Sequence, residues 1–461
     1  MLVIYIPVGH LVSIMKTNNY RWVICALLFF ATTINYIDRQ ILSLVKEFLD
    51  AQFGWSKADF GLVNSLFQGA YGLGLLFFGW FVDRFGVRIG YAVSMVGWSL
   101  AAITHALVQM MPGHASVQIG GRVIGAAALA VAAFGLCRVL LGLAESGNFP
   151  AAVKGTAQWF PRRERAFATS LFNSGANVGA LLAPAVVPFL AIHFGWGMPF
   201  VVAGVAGFIW LGFWLKMYEV PEKHPKVSPE ELEHILSDRE PTNHMLKIRW
   251  VDLLGYRQVW AFVVAKFLTD PVWWFFLIWL PDYFKTTRGL DIKHSWLLLV
   301  TIYGVITVLS IFGGWITGRL VRSGWSVTRA RKTGMFVFAL CVMPIFFTTR
   351  VGDWAAVLLI GLAGAAHQAW SANLYSTVSD TFPKRAIASI VGLGGMAGSL
   401  GGMIFPILTG RLLDHYKAAG NETAGYALLF AVCAFAYLVA FAVNHILAPR
   451  FEQVELEQGS M

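Results

Sequence analysis

Three cations stand in stretches that otherwise carry almost no charge: Arg39, Arg138 and Lys266. Placing such a group at the centre of a bilayer costs at least about 2.5–3.5 kcal/mol, so each needs a counter-charge or a watery path. Acids lie close in sequence. Asp38 adjoins Arg39, Glu145 follows Arg138 by seven residues, and Asp270 follows Lys266 by four. A guanidinium presents a planar fork that fits a carboxylate. Arg39 is therefore the expected receiver of a carboxylate; the alternative is a structural ion pair with Asp38 or Glu145. Arg138 and Glu145 return to nearly one helix face, roughly 10 Å apart along the axis, so each is better placed to meet another helix or a ligand. Arg138 then either helps to bind the anion or bridges helices. Asp38 and Glu145 are the expected proton carriers. Burial favours the neutral acid and a nearby guanidinium favours the anion. A guest anion that occupies the guanidinium tips that balance towards protonation, which couples protons to anion movement.

Polar side chains recur at helical spacing around these charges. Asn64, Gln68 and Tyr71 share one face, as do Asn173 and Asn177. They suit hydrogen bonds to hydroxyls of a ligand, or glue between membrane helices. Lys266 and Asp270 precede Trp273 and Trp274, an ion pair followed by bulky rings that could gate a pathway or stack on a ligand. His367, Gln368, Trp370, Ser371 and Asn373 form a further cluster, with His367 and Ser371 on one face.

The elements that must hold these groups are membrane helices. Of 461 residues, 57% are hydrophobic and 13% charged, and the mean hydropathy is +0.63. Soluble domains carry roughly 25% charged residues. Apolar stretches of spanning length fall at 22–42, 59–82, 89–110, 125–150, 166–192, 198–217, 258–281, 295–320, 332–349, 353–378, 386–411 and 425–447. With both termini in the cytoplasm, twenty-three lysines and arginines fall inside and nine outside, the bias expected of a plasma-membrane protein. That bias also accounts for the net charge of +10 without nucleic acid. The organisation expected is an N-terminal segment 1–21, a six-helix bundle 22–217, a solvated cytoplasmic linker 218–257, a second bundle 258–447 and a tail 448–461. In the linker, Ser228-Pro229-Glu230-Glu231 reads as a cap and a short amphipathic helix. The apolar first residues lack a signal-peptide pattern, and Met15 reads as a natural start. Cys25, Cys137, Cys341 and Cys433 are widely spaced in apolar runs and read as small buried hydrophobes. No metal, cofactor, nucleotide-binding loop or hydrolase motif is read from the chain, so a proton gradient is the expected energy source.

The halves repeat. Phe160-Pro161-Arg162-Arg163, Gly179 and Pro184 recur as Phe382-Pro383-Lys384-Arg385, Gly401 and Pro406, each offset by 222 residues. Such a parallel repeat about the membrane normal places a binding site between the halves near the midplane.

Gly79-Trp80-Phe81-Val82-Asp83-Arg84-Phe85-Gly86-Val87-Arg88 matches the G-x-x-x-D-R-x-G-x-R loop of the major facilitator superfamily. Asp83, Arg84 and Arg88 are its expected latch. The second-half copy, GWITGRLVRSG, has Gly318 in place of the acid. Asn35-Tyr36-Ile37-Asp38-Arg39, Arg138 with Glu145-Ser-Gly-Asn-Phe-Pro150, and Gln158-Trp159-Phe160-Pro161 resemble the anion:cation symporter family. Lys266-Phe-Leu-Thr-Asp270-Pro271-Val-Trp273 and Ala366-His367-Gln368-Ala-Trp370-Ser371 resemble its hexuronate-transporter branch. An extra stretch around 112–132 departs from that pattern.

The resemblance implies an all-α membrane protein of twelve transmembrane helices in two six-helix bundles, working as a monomer in the bacterial inner membrane. It implies proton symport of a small organic anion, foremost a hexuronate such as glucuronate or galacturonate. Galactonate, glucarate or an aromatic carboxylate is the alternative cargo. The expected substrate contacts are Tyr36, Arg39, Tyr71, Arg138, Asn173, Asn177, Trp273, His367, Gln368, Trp370 and Ser371. A non-transporting ligand sensor and a membrane enzyme are the competing readings; the enzyme lacks an acid–base cluster at a membrane face.

Overall fold

A computed structural model describes residues 19–114, 116–119, 122–237 and 250–454. Residues 1–18 of the expected N-terminal segment 1–21, the middle of the linker at 238–249 and the tail end at 455–461 lie outside the described residues, as does the proposed start at Met15.

Helices dominate. In the first half they are α1 (Tyr20–Phe53), α2 (Lys57–Phe85), α3 (Val87–Leu107), α4 (Ala126–Glu145), α5 (Asn148–Trp159), α6 (Arg162–Phe194) and α7 (Met198–Met217). The linker adds α8 (Pro229–Leu236) and α9 (Trp250–Leu253). The second half holds α10 (Arg257–Arg288), α11 (Ile292–Arg322), α12 (Val327–Val342), α13 (Asp353–Thr381), α14 (Lys384–Ala418) and α15 (Glu422–Leu447). Among the described residues, eleven segments are long and apolar enough to cross a membrane. At the expected eighth span, the apolar run within α11 covers His294–Ser310. The fourth span, Ala126–Trp159, is two helices, α4 and α5, broken at Ser146-Gly147 directly after Glu145.

Local chemistry sets the ends. Gly54 closes α1 in the left-handed conformation at φ 70°, which glycine adopts without a Cβ penalty. Ser56 and Asp59 form a capping box on α2. The repeat is visible as matching breaks: Phe160 and Phe382 leave their helices in extended backbone, and Pro161 and Pro383 start α6 and α14. A proline ring fixes φ for this step and lacks the donor a continuing helix would need. Past each break a glycine lets helices close. A Cβ on Gly179 would collide with the Thr33 carbonyl of α1, and one on Gly401 with the Phe267 carbonyl of α10.

The extra residues between α3 and α4 form an antiparallel hairpin, β1 (Ser116–Ile119) on β2 (Arg122–Gly125), with Ser116 opposite Gly125.

The linker departs from the solvated expectation. Ser228 caps α8 as its sequence implies, accepting from the Glu231 amide at 3.2 Å. Glu231 itself is buried. It accepts from the backbone amides of Tyr20 and Arg21, each at 3.1 Å, and from the Arg21 guanidinium at 3.2 Å. A carboxylate at the positive end of α1 is favourable for the same reason that acidic caps are. His224 packs at a tilt against Tyr20, ring centroids 4.3 Å apart, and burial holds its imidazole below the usual pKa. Residues on the near side of the linker are thus bound to the first half.

Candidate functional site

Arg39 lies near the middle of α1, and its side chain is 6% exposed. Its Nε donates to Glu145 Oε2 on α4 at 2.8 Å. This pairing takes Glu145 rather than Asp38 as the partner. Around the guanidinium stand four rings: Tyr71 at 4.4 Å, Tyr36 and Phe67 at 5.4 Å, and Trp274 at 5.5 Å. Cations favour such ring faces. Trp274 comes from the second half, and Gly402 of α14 leaves room for its indole. The site therefore spans both halves.

Asp38 points elsewhere. Its Oδ2 accepts from the Trp98 indole at 2.6 Å, and its Oδ1 has no hydrogen-bond partner among the described residues. Arg138 is 2% exposed, with Phe67 and Phe200 within 6 Å of its guanidinium carbon; its Nε and Nη2 have no hydrogen-bond partner among the described residues. Glu145 Oε1 and Gln68 Oε1 are likewise enclosed without a hydrogen-bond partner among the described residues. Leaving polar groups buried and unpaired is expensive, and more so for charges. The buried cluster around Arg39 thus holds two guanidinium groups and two carboxyl groups, with acceptor and donor capacity to spare.

The other expected contacts divide by position. Tyr36 and Tyr71 join Arg39. Asn173 is exposed and Asn177 half-buried on α6. Gln368 and Ser371 are half-buried on α13. Trp273, His367 and Trp370 pack together inside the second half, away from Arg39. Trp273 stacks on His367 at 5.3 Å and 7°, His367 Nδ1 shares a 2.5 Å hydrogen bond with the Tyr437 hydroxyl, and Trp370 meets Tyr437 edge-on at 5.5 Å. The tryptophan beside Arg39 is Trp274, one residue along. Lys266 pairs with Asp270 at 2.7 Å and lies over the Tyr375 ring at 4.8 Å.

The Asp83 loop ties helices within the first half. Asp83 accepts from Lys154 of α5 at 2.7 Å. Arg88 pairs with Glu219 at 2.7 Å and donates to the Leu215 carbonyl, while Arg84 is exposed.

At the end of the molecule away from the linker, the halves are sealed by charge. Asp282 of α10 receives Lys46 at 3.1 Å and Lys57 at 2.8 Å, and Tyr426 donates to it. Lys57 also meets Glu422 at 2.7 Å, and Asp414 accepts the amides of Lys57 and Ala58 at 2.9 and 2.7 Å. Sequence reading missed this seal, Phe67 and Trp98. Phe67 sits in the same stretch as the α2 polar face, but Trp98 gave no local signal.

The Major Facilitator Superfamily model matches residues 28–406. The chain belongs to that superfamily. Among curated relatives of this superfamily member, the hexuronate transporter of Escherichia coli (strain K12) is 28% identical over 429 residues, 91% of this chain and 92% of that one. The probable galactarate/D-glucarate transporter of Bacillus subtilis (strain 168) is 29% identical over 413 residues, 87% of each. In fold, the chain matches a bacterial homologue of the human lysosomal transporter Spinster in an inward-facing and occupied conformation. The TM-score is 0.70 at 15% identity, covering 94% of this chain and 98% of that one. The protein is a multi-pass membrane member of the superfamily.

Proposed function

We propose that this superfamily member takes up a sugar acid by proton symport, foremost a hexuronate, with galactarate, glucarate or galactonate as the alternative cargo. The carrying observation is the buried Arg39–Glu145 pair, flanked by Arg138 and Asp38 with unused donors and acceptors. A substrate carboxylate that takes the Arg39 fork displaces Glu145, which then leaves the pair as the neutral acid. The proton thus travels with the anion, and release of the anion restores the ion pair. Tyr36, Tyr71 and Trp274 stand beside the guanidinium and suit the apolar face of a pyranose ring. The relatives named for hexuronates and aldarates support the substrate class.

In the proposed orientation both termini are cytoplasmic, twelve helices cross the bacterial inner membrane, and the sealed end faces outward. The anion:cation symporter pattern around Arg39 and Glu145 supports this reading, as does the excess of basic residues on the linker side. The two halves then rock about the Arg39 site to expose it alternately.

Uptake of radiolabelled glucuronate into proteoliposomes tests the reading. Accumulation should rise from pH 8 to pH 5.5 outside and collapse with an uncoupler. Identical uptake under all these conditions would exclude proton coupling. Absence of uptake and counterflow for glucuronate, galactarate and galactonate would exclude the sugar-acid reading.

A further inference from the structure

Lys46 and Lys57 are 4% and 3% exposed, yet both serve one carboxylate, that of Asp282. Each oxygen of Asp282 takes one ammonium, a two-point grip built by α1 and α2 of the first half on a group supplied by the second. The pair also lines up with the site below. Lys46 is seven residues beyond Arg39 on α1, so the two share a face about 10 Å apart. On α2, Lys57, Asn64 and Tyr71 recur every seven residues and share a face in the same way. Beside the grip is a small recess of about 20 Å³, room for about one water, lined by Ser43, Lys46, Asp50, Asp282, Lys285 and Ser295.

Rocking the halves apart withdraws Asp282, Glu422 and Asp414 together, because all three belong to the second half. Lys46 keeps Asp50 at 2.5 Å, but Lys57 loses both of its carboxylates. A cation left on a low-dielectric wall attracts anions strongly. We infer that Lys46 and Lys57 form an outer docking site for the substrate's carboxylate, and that Asp282 occupies this site when the outer gate is shut. The substrate docks on the lysines, passes along the shared face to Arg39, and the vacated lysines recapture Asp282 to close the gate behind it. This inference rests on the sugar-acid reading.

The test compares glucuronate uptake into proteoliposomes by the full chain and by Lys46→Met, Lys57→Met and Asp282→Asn. Lys57→Met should raise the KM for external glucuronate about tenfold, and Lys46→Met should raise it less. Asp282→Asn removes the internal competitor and should lower that KM about threefold, with slower turnover in all three. A gate that is only a latch would move all three KM values downward together, since each change loosens the outer seal; that result, or unchanged KM in the lysine variants, overturns the inference. Lys57→Arg, which keeps the charge, should recover most of the affinity and guards against loss through misfolding. Wild-type protein that moves none of glucuronate, galactarate and galactonate overturns the sugar-acid reading and this inference with it. Wild-type uptake with same-direction KM changes overturns the inference alone.

Discussion

The two halves carry one scaffold and two chemistries. Glu145 and His367 are offset by the same 222 residues as the repeat motif. Arg39 and Trp273 also correspond, since each lies six residues beyond the carbonyl on which Gly179 or Gly401 closes, at Thr33 and Phe267. In the first half this pair of positions is a guanidinium on a carboxylate at 2.8 Å. In the second half it is an indole stacked on an imidazole at 5.3 Å. One duplicated contact has been kept as a charge switch on one side and as rigid aromatic packing on the other. Under the proposed function, the difference puts the proton and anion chemistry in the first half. It leaves the second half to supply a wall, through Trp274, and the counter-charges of the seal away from the linker.

That contrast can be broken by exchanging its parts. The largest effect is expected from Arg39→Lys, which keeps the charge but loses the fork. Glucuronate uptake should fall about 100-fold, because an ammonium cannot give a carboxylate the two parallel hydrogen bonds of a guanidinium fork. The matching change in the second half, Trp273→Phe, should lower uptake less than about threefold and show chiefly as a drop in melting temperature of a few degrees. Equal transport losses in the two variants would erase the distinction. Glu145→Gln comes next: it should retain counterflow exchange of glucuronate, within about tenfold of wild type, yet lose accumulation driven by an inward pH gradient. Trp274→Ala should raise the KM about three- to tenfold by removing a ring beside the bound sugar, with little change in melting temperature. The smallest effect is expected from Glu231→Gln, which weakens the linker's hold on the start of α1. It should lower thermal stability by about 1–2 kcal/mol and leave the KM unchanged.

Much of this was legible in the chain. Hydropathy marked the spanning segments, and the 222-residue offset announced the repeat, because helix breaks at Phe-Pro and close contacts at glycine impose residue types that any copy must keep. The rarity of charge in apolar sequence singled out Arg39, Arg138 and Glu145. Other features depend on helix azimuth and long-range pairing, which spacing along one helix does not encode. Trp273 and Trp274 are neighbours, so they point about 100° apart, and only packing against α13 and α14 decides which ring reaches Arg39. The Lys46–Lys57–Asp282 seal joins residues more than 200 positions apart, and each reads alone as an ordinary charge at a helix end. Glu231 looked like a solvated linker acid because its partners, the first amides of α1, are donors that every helix start possesses.

The central claim is that the anion and the Glu145 carboxylate compete for the Arg39 guanidinium, so that Glu145 takes up a proton when the anion binds. Binding of glucuronate to purified protein in weakly buffered solution near neutral pH, followed with a pH indicator, tests this directly. Wild-type protein should take up protons as glucuronate binds, and Glu145→Gln should bind glucuronate with proton uptake much reduced or abolished. Proton uptake equal in the two proteins, or none in the wild type despite binding, would contradict the account.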